Sequence, residues 1–223
     1  METNQEAKLK RMKSYAGADL SENTYNAVIG LTLLWGIAIN FIMSYFLTPY
    51  IIRIDIRVVI VVYLIASFAC AFIIHRSDSA LVSFLAFTGL AIAMGLLLTD
   101  FVAFYTSSQI YNAFLTTGII VVSMILLSVF FPAFFLSLGR VLIFALLGSL
   151  IIELICSLIF HMPTTVFDYI VVIIFAGYIG FDWAKSQVYP KNMNNAIDCA
   201  SDIYIDIVNI FVRILSIMGN KDN

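Results

Sequence analysis

The chain has 223 residues, is 62% hydrophobic and only 12% charged, with a mean hydropathy of +1.00 and a formal net charge of −2. Soluble domains carry about a quarter charged residues, so this composition excludes an ordinary soluble fold and points to a chain solvated mainly by lipid. The small net charge leaves no electrostatic footprint for nucleic acid, and Cys70, Cys156 and Cys199 form no CxxC or Cys/His metal spacing.

Residues 1–24 read as a polar tail carrying Lys8, Lys10, Arg11 and Lys13. No short apolar core followed by a small-residue cleavage site occurs there, so no signal peptide is expected. Residues 25–219 read as one all-α transmembrane domain, and residues 220–223 as a short tail. Apolar runs of bilayer length predict seven transmembrane helices, at about 26–47, 57–75, 80–100, 110–131, 141–160, 165–184 and 200–218. The breaks between them carry turn and charge signals: Thr48-Pro49 with Arg53, Asp55 and Arg57; His75 to Asp78; Asp100 to Gln109; Pro132 to Arg140; His161-Met162-Pro163; and Gln187 to Ala196. The loops are short, so successive helices are expected to be antiparallel neighbours.

The distribution of basic residues sets the expected orientation. With the N-terminus inside, eight of the twelve Lys and Arg fall on the inner side, counting Arg76, Arg140, Lys185 and Lys191 with the tail. Arg53, Arg57, Arg213 and Lys221 fall outside. A cytoplasmic N-terminus in a multi-pass membrane protein follows, with a bacterial plasma membrane as the expected location. The seventh span is the weakest, because Asp198, Asp202 and Asp206 open it.

Those three acids recur every four residues and share one helical face. Such a face must point at protein, water or the interface rather than lipid. Asp198 and Asp202 suit a helix start, where acids complement the dipole. Asp206 lies deeper, with Asn209 one turn on as a candidate hydrogen-bond partner. Asp182, in GYIGFDWAKSQ (177–187), is the matching acid of the preceding span. If the last helix starts near Ala200, Asp206 lies about 9 Å into it, and Asp182 lies roughly 6–9 Å before the turn. A hairpin then sets both at one depth. Two close carboxyls titrate as a unit and share a proton, so protonation alters the bond between their helices. They also offer the oxygen ligands that calcium prefers. Gating, calcium contact and a merely structural shared proton all remain open from spacing alone.

Arg76, at the end of the second span, is a candidate cationic partner for the pair; an arginine snorkelling to the interface is the alternative. Glu153 sits in the middle of LLGSLIIELICSL and needs a partner or a proton, which makes it a candidate conduit residue beside Asp198, Asp202 and Asn209. Gly95, Gly118, Gly148, Gly177 and Gly180 are expected to let helices approach closely.

GYIGFDWAKSQ, the 24-residue step from Asp182 to Asp206 and DIYIDIVNIFVRILSIMG (202–219) resemble the C-terminal signature of the Bax inhibitor-1, or transmembrane Bax inhibitor motif, family. TYNAVIGLTLLWG (24–36) is similar to the first span of its bacterial members. The resemblance implies six helices wrapped around a central C-terminal helix, and a pH-sensitive calcium leak. Asp182 and Asp206 match the family's pH-sensing pair, and Arg76 best matches its basic partner by position. It implies no cofactor, with calcium and protons as the ions handled.

Two other classes are distinguishable. An intramembrane aspartyl protease would carry Gly-x-Gly-Asp and Pro-Ala-Leu; this chain has Ile179-Gly180-Phe181-Asp182 and Pro132-Ala133-Phe134. Nor is there a phosphate-binding loop or an HExxH string, so no enzyme is expected. A non-conducting regulator that binds a membrane protease or a cell-death or stress factor is the alternative that the resemblance leaves open.

Overall fold

The computed structural model describes residues 20–158 and 165–219. Most of the N-terminal tail, the His161-Met162-Pro163 break and the residues after Gly219 lie outside them. Every regular element among the described residues is a helix: α1 (Glu22–Ile51), α2 (Ile56–Arg76), α3 (Ala80–Val102), α4 (Ser107–Phe130), α5 (Pro132–Ser137), α6 (Gly139–Leu158), α7 (Thr165–Val188) and α8 (Met193–Gly219). Six of them, α1 to α4, α6 and α7, are long and apolar enough to cross a membrane. The α8 helix has the length but falls outside that set, because its acids and Arg213 lower its hydropathy.

Three boundaries depart from expectation. The α1 helix runs through Pro49 to Ile51 instead of ending at Thr48. The Thr48 hydroxyl bonds back to the Ser44 carbonyl, and the Ile52 N–H still reaches Thr48 O at 3.2 Å, so the backbone stays helical where proline removes a donor. Asp100 lies inside α3 and is buried rather than opening a loop. The segment from Pro132 is no simple break, since proline at the first helical position starts the short α5. Capping fixes other ends: Ser21 accepts from Thr24 N, Asp55 from Arg57 N, and Thr106 with Gln109 closes a reciprocal capping box.

The chain divides into two compact units. The first contains α1, α2 and α3 with residues 186–202. Here α3 is the most enclosed helix, burying Phe87, Leu90, Ala91, Met94 and Leu98 against α1 and α2. Tyr25, Ile29, Thr32, Gly36, Asn40 and Met43 make the buried stripe of α1, at helical spacing. The start of α8 is held by polar contacts. Ser83 Oγ donates to Asn194 Oδ1 at 2.8 Å, Asn194 Nδ2 donates to Ser77 O at 3.1 Å, and Tyr25 OH meets Cys199 Sγ at 3.5 Å.

The second unit contains α4 to α6, α7 up to Lys185, and α8 from Ile203. Small residues bring its helices together. A Cβ on Gly180 would lie 2.2–2.9 Å from the Phe135 ring, and Ser128 Oγ donates to Gly180 O at 2.6 Å. Gly177 likewise leaves room for Leu142. By contrast, Gly118 and Gly148 face open space, so the close packing expected at those two is absent. Gly180→Ala should therefore destabilise the protein by about 1–3 kcal/mol through overpacking against Phe135. Thermal unfolding of detergent-solubilised protein would show it as a lowered Tm, while Gly118→Ala should leave Tm unchanged.

Candidate functional site

The acids of α7 and α8 occupy enclosed positions. Asp182 and Asp206 are 7% and 5% exposed, in segments that otherwise carry mostly apolar side chains. Lys185, one turn after Asp182, places Nζ 2.9 Å from its Oδ1. The Lys185 ammonium also lies 5.8 Å from the Phe181 ring centroid, so its stem covers apolar surface while its head meets the acid. The Tyr178 hydroxyl lies within electrostatic reach of both Asp206 and Asp182. The charges of both acids thus act on one phenol.

The level of Asp206 along its helix differs from the one read in the sequence. The α8 helix starts at Met193, seven residues before the expected start at Ala200. Asp206 is therefore about 20 Å along its helix, not about 9 Å, while Asp182 is about 9 Å and Tyr178 about 15 Å from the end of α7. The earlier start has a physical reason: Asn194 and Asn195, which read as a turn, are buried and satisfied as helix residues.

The other expected residues have distinct settings. Asp198 is buried more than a turn inside α8 instead of at its cap. Asp202 lies 3.4 Å from His75 Nε2 on α2. Arg76 is exposed, with its guanidinium 4.9 Å over the Phe72 ring. The cation placed against Asp182 is Lys185, and its spacing from Asp182 was available in the sequence as an i, i+3 pair. Asn209 donates to Ile205 O at 2.8 Å, a bond within its own helix.

Glu153 belongs to a second polar cluster. Arg213 on α8 donates from Nη1 and Nη2 to Glu153 Oε1 and Oε2 at 2.8 and 3.1 Å, and from Nη1 to Asp168 Oδ1 on α7 at 2.7 Å. Ser216 Oγ donates to Asp168 Oδ2 at 2.8 Å. Arg213, counted with the outer flank from the sequence, is thus an in-helix counter-ion. Asp168 and Ser216 were not singled out at all, because residues 45 to 60 positions apart in sequence give no local spacing signal. Among the described residues, no group of three or more His, Cys, Asp or Glu is placed to hold a metal ion.

These buried acids stand in an all-helical frame whose residues 18–223 match the family model described as Inhibitor of apoptosis-promoting Bax1. The chain belongs to the Bax inhibitor-1 family. The match covers nearly the whole chain and includes both acid clusters. No curated protein and no solved structure matches it significantly. Membership and the six apolar helices make this a multi-pass integral membrane protein of a cofactor-free family.

Proposed function

We propose that this Bax inhibitor-1 family member is a pH-sensitive calcium leak, gated by protonation of Asp182 and Asp206. In this reading α8 is the seventh span and the centre of the bundle, and the N-terminus is cytoplasmic in a bacterial plasma membrane. The enclosure of α8 supports its central place, since no residue from Asn194 to Gly219 is exposed. The observation that carries the proposal is the burial of two acids on successive helices whose charges both act on Tyr178.

A carboxyl pair in a low-dielectric setting cannot hold two charges cheaply. With one shared proton, α7 and α8 are bridged. When the proton count changes, the bridge changes and the equilibrium between closed and open shifts. Lys185, on the α7 acid, supplies fixed positive charge beside the bridge. Calcium is the cargo, and the paired carboxylates give it a transient oxygen contact on the way.

Calcium influx into dye-loaded proteoliposomes, measured from about pH 5 to about pH 8, tests the reading over the range in which coupled carboxyls titrate. Flux that changes with pH and is missing from protein-free vesicles supports it. Absence of flux from demonstrably folded protein overturns it, and leaves the non-conducting regulator of partner proteins as the better account.

A further inference from the structure

The two halves of α6 are held very differently. Leu142 and Ser149 are its buried residues, Ser149 standing at the start of its second half. Leu142 fills the space that Gly177 leaves on α7. From Leu150 to Ser157 no residue is buried; Glu153 and Cys156 are partly covered and the others are exposed. Among the described residues, the polar side-chain contact tying this half to another helix is Glu153 with Arg213.

The charges around Arg213 do not balance. Glu153 on α6 and Asp168 on α7 carry two negative charges against one guanidinium on α8. The other groups facing the cluster are the Ser216 hydroxyl and Tyr105, in the segment before α4; burial and then the Asp168 charge push the Tyr105 phenol pKa up, which keeps it neutral. Asp168 is the firmer partner, with its side chain 3% exposed and a second bond from Ser216. Glu153 is more exposed, at 17%, and among the described residues its partner is Arg213. Removing Glu153 leaves a neutral Arg213–Asp168 pair, whereas removing Asp168 strips two contacts from a buried site.

We infer that the second half of α6 is a swinging arm, pivoting where Leu142 meets Gly177 and latched to α8 by the Glu153–Arg213 ion pair. The arm is separate from the Asp182 and Asp206 pair and does not depend on ion flux.

Spin labels read the arm directly in protein whose native cysteines have been replaced. One pair joins Leu154, on the exposed face of the arm, to Val122 on α4; a control pair joins Ile143, beside the pivot, to Val122. In Glu153→Leu, the Leu154 distance distribution should shift or broaden by more than about 2 Å, the scale of a helix displacement, while the Ile143 distribution stays put. Leucine suits a lipid-facing site, and Glu153→Gln gives the same test in a nearly isosteric side chain. An unchanged Leu154 distance in both variants overturns the latch, and equal shifts at Leu154 and Ile143 overturn the pivot.

Discussion

Arg213→Met should lower the stability of the protein by about 3–5 kcal/mol, the cost of leaving a buried ion cluster without one sign of charge. The variant keeps an unbranched apolar stem of similar length but leaves Glu153 and Asp168 facing each other with no cation and strips Asp168 of one of its two donors. Because the Arg213 side chain is 23% exposed, the lower end of that range is the better expectation. Tryptophan fluorescence on heating, in one detergent and at one salt concentration, would give the change in Tm. The test of cause is rescue. Adding Glu153→Gln and Asp168→Asn removes the stranded charges and should recover most of the loss, since a neutral polar cluster replaces an uncompensated one. A triple variant no more stable than Arg213→Met would mean that the stem packing of Arg213, not its charge, holds α8.

Asp206→Asn should abolish most of the pH dependence of calcium flux while the protein stays folded. In the proposed mechanism the titrating unit is the pair, and an amide at one position removes the shared proton altogether. The ratio of flux at the two ends of the pH range should fall to about one, the value for a path with no titrating gate. Asp182→Asn should act in the same direction, but it also removes the carboxylate that Lys185 meets at 2.9 Å, so it alters a second charge contact at the same time. The Asp206 variant is therefore the cleaner reading. A pH response equal to wild type in Asp206→Asn would remove the pair from the mechanism, whatever the absolute flux.

The apolar helices were legible in the sequence to within a few residues, because lipid demands a long uninterrupted run and leaves few ways to encode one. What failed was the rule that polar residues end a span. Pro49 and Asp100 sit inside helices, and Asn194 and Asn195 sit in the first turn of α8. In each case the polar group's fate was decided by its surroundings in three dimensions. Asp182 and Asp206 were legible for the converse reason: an acid among apolar neighbours stands out at once. Arg213 stood among apolar neighbours just as plainly, yet it read as a flank. Its meaning depends on Glu153 and Asp168, which reach it from two other helices and leave no mark in its own segment. Lys185 was the one omission that local spacing could have supplied.

The charge content of α8 has a consequence for biogenesis. Three aspartates and an arginine make this helix a poor client for insertion on its own, each such residue costing about 2.5–3.5 kcal/mol at mid-membrane on insertion scales. As the proposed seventh span it would enter beside helices that precede it in the chain, and the cluster around Arg213 is what they would offer: Glu153 and Asp168 supply its counter-charges. Until α8 arrives, α6 and α7 display acids that have no cation. A cell's membrane quality control could recognise that unfinished state, and the arrival of Arg213 would be the event that ends it.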